Sequence, residues 1–390
     1  MLIRELPTPA LLIEQARLES NLGRMQARAS DHGVRLRPHV KTHKSVELAR
    51  MQREAGSSGI TVAKPSEAEP FVNGGVADVR IAYPAIARHH LERIVGLMDR
   101  ARVSFCVDTI EGARAASEFF EARGISAEIL IKVDCGYGRC GVTWDSDDSI
   151  DFVNAVVAMK GLQITGILTH AGHSYSGPVN DDESAAEYVR RIATEERDRM
   201  LAFARCLYEA GVELPAREQF EISIGSTPTM SAFTNTVVDA FTITEIRPGN
   251  YIFNDANQVA LGVARPQDCA LTVLATVVSK HRDLHSHDRV FLDAGSKVLT
   301  SDTGFGTNGY GLVIHSPTTM TPLPHAEVNK LSEEHGWVGI PGGSTLSVGD
   351  RVRVVPNHAC VVMNTQNRAY LVSGDKLVRE IQIDARGQVQ

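Results

Sequence analysis

The 390-residue chain has no excess of positive charge: 40 lysines and arginines face 47 acids, a formal net charge of −7. It presents no overall basic field to a phosphate backbone, so nucleic acid is excluded as a partner. Cysteine is sparse as well. The six (Cys106, Cys135, Cys140, Cys206, Cys269 and Cys360) are scattered through a long chain, which predicts free thiols in a reducing compartment. No apolar run reaches membrane-spanning length, and the start MLIRELPTPALLIEQ has no basic stretch leading into an apolar core. A cytoplasmic protein without membrane association is expected. Internal repeats and low-complexity segments are also missing. What is present, 43% hydrophobic and 22% charged residues, suits a globular chain with a large core and room for a second domain.

Short runs rich in Ile, Val and Leu recur, each ending in a small or polar cluster and followed by a stretch with helical spacing. They read as strands at RLRPHV (35–40), GITVAK (59–64), VRIAYP (79–84), VSFCVD (103–108), EILIKVD (128–134), ITGILTH (164–170), FEISIG (220–225) and FTITEI (241–246). The intervening segment ESAAEYVRRIATEERDRMLAFARCLYEAG reads as a helix with a glycine stop at Gly211. Eight alternations without hairpin signals predict a closed parallel (β/α)8 TIM-like barrel over residues 13–265, with a doubly wound open sheet as the competing arrangement. Beyond 265 the texture changes. CALTVLATVVSKH, DRVFLDAG, DRVRVVPNHACVVMN and RAYLVSG are strands with few helices between them, predicting a C-terminal β domain over 266–390 to which residues 1–12 add a strand.

In a parallel barrel the site is built where the strands end. Lys41 falls at the tip of the first strand, in RLRPHVKTHKS. A lone lysine is ordinarily a solvated charge, but one desolvated at a barrel mouth beside other cations has a lowered pKa and can form an imine. His39 and His43 flank it, either as core histidines or as site residues. Arg139 lies in the glycine-rich turn DCGYGRCG, which would let its guanidinium approach a ligand or would simply be braced by it. Cys135 and Cys140 in that turn make only a weak metal pair. His170 and Tyr175, in THAGHSY, end the sixth strand. Gly225, Ser226 and Thr227 follow the seventh strand, and Gly249 and Asn250 the eighth, where barrels commonly bind phosphate. Either glycine turn alone is weak evidence; the two together with a lysine on strand one are more specific.

In the β domain, VVPNHACVV places His358 and Cys360 two apart, on one face if the segment is a strand. Imidazole and thiolate suit zinc, and two protein ligands leave positions open for water or a substrate oxygen. The alternative is a buried cysteine beside a surface histidine. The cluster His281, His285 and His287 lies in a polar loop between strands and reads as solvated surface.

Taken in order, RPHVKTHK, DCGYGRCG, THAGHSY, GSTPT, RPGNY and PNHAC resemble the D-serine dehydratase and D-threonine aldolase group of pyridoxal 5'-phosphate (PLP) enzymes, which shares its fold with alanine racemase. The resemblance runs from about residue 6 to about 380. It implies a barrel carrying PLP, a C-terminal β domain and a homodimer. By the same resemblance Lys41 would hold the cofactor, Arg139 would face its phenolic oxygen, and Gly225, Ser226, Thr227, Gly249 and Asn250 its phosphate. Tyr175 would line the cofactor site, Arg247 would stand against the pyridine nitrogen, and His358 with Cys360 would bind a divalent metal, zinc before manganese or magnesium. An arginine at the pyridine nitrogen weakens PLP as an electron sink, leaving more of the work to the metal.

The resemblance also bears on the reaction. Dehydratase-like members tend to carry the His-x-Cys pair found here, and aldolases an aspartate at the second position. The expectation is therefore a dehydratase of D-serine, D-threonine or 3-hydroxy-D-aspartate, with Lys41 as general base. A retro-aldol lyase using His43 or His170 as base is the alternative, ahead of a racemase or a non-catalytic PLP carrier. Residues reading the substrate beyond Cβ are expected in the loops SYSGPVNDDES and SDTGFGTNGYG.

Overall fold

The computed structural model describes residues 1–179, 182–282, 287–316 and 320–390. Eight parallel strands form a ring in these residues: Arg35–Leu36, Ile60–Val62, Asp78–Pro84, Arg102–Val107, Ala127–Asp134, Leu162–Leu168, Glu221–Ile224 and Glu245–Ile246. Each lies beside its sequence neighbours, and the last pairs with the first. A bridge between His39 and Thr61, with the Thr61 amide donating to the Pro38 carbonyl at 2.8 Å, closes the remaining gap. A closed barrel is thus formed, and the open doubly wound sheet is ruled out.

Several strands are shorter than their sequence runs. The first stops at Leu36 and not at residue 40, because Pro38 has no N–H for the ladder and Val40–Thr42 turns into a 3-10 helix. Lys41 therefore sits in that turn, beyond the strand. The long helix Ala185–Glu209 starts at a capping box between Ser184 and Glu187 and ends before Gly211, whose φ of 72° only glycine adopts freely. Its buried face includes Val189, Ile192, Ala193, Glu196 and Met200 at helical spacing, one of them an acid.

The barrel floor is polar. Glu245, fully buried, accepts from Arg37 Nε at 2.7 Å, Arg80 Nη1 at 2.5 Å and Ser223 Oγ at 2.7 Å, and Arg80 also reaches Glu221. Arg37, one of the cluster of cations in RLRPHVKTHKS, is only 1% exposed. An isolated buried guanidinium would be prohibitive, and Glu245 together with Asp78, which accepts from Arg37 Nη1 at 2.6 Å, makes it tenable.

The C-terminal strands close a second barrel, antiparallel, in the order Leu271–Arg282, Asp288–Leu292, Gly336–Ile340, Thr321–Leu331, Gly311–Ser316, Arg351–Pro356 and back to Leu271–Arg282. Ala10–Glu14, Arg368–Ser373 and Lys376–Gln382 extend it as a flap. Ala10–Glu14 pairs with Leu271–Arg282 and runs across residues 12 and 13. Residues 384–390 return to the parallel barrel: the Ala385 amide donates to the Lys44 carbonyl at 2.9 Å, and Lys44 Nζ to the Gln388 carbonyl at 3.0 Å.

Candidate functional site

The turn bearing Lys41 is closely packed against its neighbours. His39 Nδ1 accepts from the Lys41 amide at 3.4 Å. A Cβ on Gly249 would meet Thr42 Oγ1 at 2.7 Å and the His39 carbonyl at 2.8 Å, so the loop after the eighth strand approaches this turn only as glycine. Lys44, at φ 53°, leaves the turn with its ammonium 3.0 Å from Glu67 Oε1, a buried pair.

Lys41 stands on the wall between two cavities of about 470 and 580 Å³, which share His39, Lys41, Arg139, His170 and Arg247. Burial lowers its pKa, Cys360 and Glu67 oppose that, and Arg139 and Arg247 add to it. His170 Nδ1 lies 3.1 Å from the Gly225 carbonyl. A carbonyl can only accept, so Nδ1 carries the hydrogen and Nε2 presents a lone pair. Burial, then Lys41, holds its pKa well below the usual histidine value. His43, by contrast, lines neither cavity: it bonds Gln52 and the Ser45 amide, meets Phe71 edge-on, and is pushed by burial to about 4. It is a core histidine.

Arg139 lies in a turn organised by Asp134, whose carboxylate accepts from the amides of Gly136, Tyr137 and Gly138 at 2.8–2.9 Å. Its guanidinium is 5.2 Å from the Tyr137 ring centroid. Cys135 of the same turn is buried in a separate apolar cluster and Cys140 lines the second cavity, and all six cysteines are unpaired. Arg247 is buried, with Nε on Ser223 Oγ at 2.7 Å and Nη2 on the Thr169 carbonyl. Tyr175 OH accepts from the Thr227 amide at 3.2 Å, and burial raises its pKa.

The expected phosphate cup divides. Ser226, Gly249 and Asn250 line the first cavity. Gly225 lies behind it, its amide donating to Glu196 Oε1 at 3.0 Å. Thr227 faces a larger outer groove of about 700 Å³ that holds none of the other expected site residues.

His358 and Cys360 both line the first cavity, but not as neighbours on a strand. The strand ends at Pro356, His358 caps the helix Ala359–Met363, and Cys360 lies in its first turn. Each residue of the segment has a defined partner. Asn357 Nδ2 donates to the Asp302 and Gly309 carbonyls, His358 Nδ1 lies 2.7 Å from Asp302 Oδ2, and the Ala359 amide donates to Asp255 Oδ2 at 2.9 Å. Cys360 Sγ donates to Thr42 Oγ1 at 3.2 Å. Burial disfavours charge on His358, yet Cys360, Asp255 and Asp302 outweigh it and raise its pKa to about 10. The donor set is an imidazole and a thiol where the surroundings favour positive charge, which fits a borderline divalent cation. The buried amide oxygens of Asn250 and Asn257, on the same cavity wall, have no partner in the described residues, and such acceptors are satisfied by ligand or ordered water. Of the histidine-rich loop, His285 lies outside the described residues, and His281 Nε2 pairs with Ser279 Oγ. No three metal-ligating side chains converge among the described residues.

Four residues at or behind this site went unread in the sequence. Lys132, 3% exposed, lines the second cavity, and its signal is a cation inside the apolar run EILIKVD. Glu196 ties the sixth and seventh loops through Ala171, Gly225 and Thr229, and it is the acid on the apolar face of its helix. Asp255 and Asp302 hold the His358 segment from distant loops and have no local signal.

Two family models match the chain: "Alanine racemase, N-terminal domain" over residues 13–257 and "Putative serine dehydratase domain" over residues 270–372. The chain belongs to the D-serine dehydratase-like group with the alanine racemase fold. Its relatives in that family include the D-threo-3-hydroxyaspartate dehydratase of Delftia sp. (strain HT23), 34% identical over 369 residues that make up 91% of each chain. They also include a D-threonine aldolase of Arthrobacter sp., 32% identical over 388 residues, 97% of this chain and 93% of that one. The solved structure of the Delftia family member superposes with a TM-score of 0.86 at 32% identity over 98% of both chains.

Proposed function

We propose that the protein is a PLP- and metal-dependent lyase of D-3-hydroxy amino acids, acting as a dehydratase. The observation that carries the proposal is the Cys360–Thr42 contact, which sets the His358–Cys360 pair against the turn bearing Lys41 in one cavity. One solved relative is a cysteine-to-alanine mutant of a D-threo-3-hydroxyaspartate dehydratase in a metal-free form, which supports a metal at a comparable thiol here.

PLP, when bound, supplies an electron sink at Cα, and a divalent metal held by His358 and Cys360, zinc by its donor set, supplies a Lewis acid for the β-hydroxyl. The chain's residues do the rest. Lys41 would hold the cofactor through its aldehyde, and its free Nζ amine would be the base for the Cα proton. Burial and the cations around it keep the amine competent as a base. Ser226, Gly249 and Asn250 orient the phosphate, with Gly225 and Thr227 shaping the loop behind them, and Tyr175 packs beside it. Arg139 is assigned to the phenolic oxygen and Arg247 to the pyridine nitrogen. Hydroxide leaves Cβ, and the released enamine hydrolyses to a 2-oxo acid and ammonia. The same reading carries a cytoplasmic homodimer, whose mass sedimentation would check.

His170 supports a second reading. Its Nε2 lone pair could take the hydroxyl proton in a retro-aldol cleavage. Purified protein incubated with D-serine, D-threonine and 3-hydroxy-D-aspartate separates the two: ammonia with 2-oxo acid supports the dehydratase, glycine with aldehyde the aldolase, and neither product sinks both.

A further inference from the structure

The loop between the helix Ser296–Leu299 and the strand Gly311–Ser316 does two things at once. Its residues Thr303, Gly304 and Phe305 line the first cavity. One residue earlier, Asp302 Oδ2 lies 2.7 Å from His358 Nδ1. A carboxylate oxygen accepts, so Nδ1 carries a hydrogen, and Nε2 is the nitrogen on which a cation would replace the other proton.

A partly exposed ion pair is ordinarily worth little, and both side chains here are about two-fifths exposed, 40% for His358 and 45% for Asp302. This pair differs in how its backbone is held. Asn357, the residue before His358, donates one amide to the carbonyls of Asp302 at 3.1 Å and Gly309 at 2.5 Å, clasping both ends of the loop. Inside the loop the Gly304 amide donates to Thr307 Oγ1 at 3.0 Å. The carboxylate is therefore delivered to the imidazole by a fixed backbone and not by a free side chain. Histidines that ligate metals are held in this way, because the partner of the other nitrogen sets tautomer and ring plane.

We propose that Asp302 is a positioning residue for the metal centre: from the loop that walls the cavity, it fixes His358 with Nε2 turned to the cation. The proposal rests on the reading of His358 and Cys360 as metal ligands. It makes the cavity loop and the metal pair one unit.

Zinc affinity of the full-length, PLP-loaded protein, measured by competition with a chromophoric chelator, tests it. Asp302→Ala should bind zinc about 10–100-fold more weakly, and Asp302→Asn, whose amide oxygen still accepts from Nδ1–H, should recover most of the loss. Thr307→Ala removes the loop's internal brace without touching His358 and should stay within about twofold of wild type. The proposal is overturned by wild-type affinity in Asp302→Ala, or by an equal loss in Thr307→Ala. Nitrogen-15 spectra of the zinc-loaded wild type give a check that depends on no variant: metal on Nε2 with Nδ1 protonated is expected, and metal on Nδ1 overturns the proposal. His358→Ala separates the underlying reading. If it binds zinc as wild type does, the metal pair itself is wrong; if it loses zinc while Asp302→Ala keeps it, only the positioning role falls.

Discussion

Cys360 Sγ and Thr42 Oγ1 share a hydrogen bond of 3.2 Å across 318 residues of sequence. The contact joins the helix Ala359–Met363 of the C-terminal segment to the turn of Lys41, so the amine and the thiol open onto the same cavity. Replacing Cys360 with alanine deletes one of two proposed ligands and that contact together. Cys360→Ala should be isolated with little bound zinc, and ammonia release should fall by about 10²-fold or more, the several kcal/mol a Lewis acid contributes. Elemental analysis beside steady-state kinetics checks this. Full activity in metal-free Cys360→Ala protein would remove the metal from the reaction.

Lys41 is the assignment on which the cofactor depends. Lys41→Ala should lose the visible absorption of lysine-bound PLP and about 10²–10⁴-fold in rate for the missing proton transfer alone. An absorption spectrum of the purified variant decides it. Were the band to persist, the cofactor would sit on another amine, with Lys132 of the adjoining cavity the first to replace.

The barrel, and the gathering of the candidate residues around one pair of cavities, were legible because their signals are local. Eight apolar runs with turn residues at their ends specify parallel strands, and Lys41, Arg139, His170, Ser226, Asn250, His358 and Cys360, named at or near the ends of such runs, all line the cavities now seen. What could not be read depends on tertiary pairing. Arg37 and Lys44 look like surface charges in RLRPHVKTHKS, and it is distant carboxylates that make their burial tolerable: Glu245, 208 residues away, with Asp78 for Arg37, and Glu67 for Lys44. Asp302 belongs to a polar loop with no periodicity, and its meaning comes from Asn357 and His358. His43 shows the reverse: flanking Lys41 in sequence, it is turned by the 3-10 geometry into the core.

The tail over residues 384–390 braces the lysine turn from outside. Lys44 Nζ is 3.0 Å from both Glu67 Oε1 and the Gln388 carbonyl, and Asp384 accepts from the Val46 amide at 2.8 Å. Lys44→Met leaves Glu67 buried without its cation, a loss of about 3–5 kcal/mol when one partner of a buried pair is removed. Ending the chain after Ile383 keeps the ion pair and should cost less. Hydrogen exchange over residues 39–46 should quicken in both variants, more in Lys44→Met. Unchanged exchange there would show that the turn holds itself.

Glu245 on the barrel floor gives the stability a dependence on acid. Burial alone would raise its pKa, but Arg80 and Arg37 outweigh it and hold the carboxyl well below the usual carboxylate range. A folded-state value below the unfolded one means that the stabilisation is fully present above the unfolded pKa of about 4.3 and drains away as pH falls beneath it. Glu245→Gln cannot titrate and leaves two buried guanidiniums short of charge, so near neutrality it should be less stable by about 3–5 kcal/mol. Its acid slope should also be shallower. Urea unfolding at a series of pH values between about 7 and 3 should therefore give wild-type and variant curves that converge as the solution is acidified below the ordinary carboxylate pKa. Curves that stay parallel would mean that Glu245 keeps its proton affinity on unfolding, and that the acid sensitivity of the fold lies elsewhere.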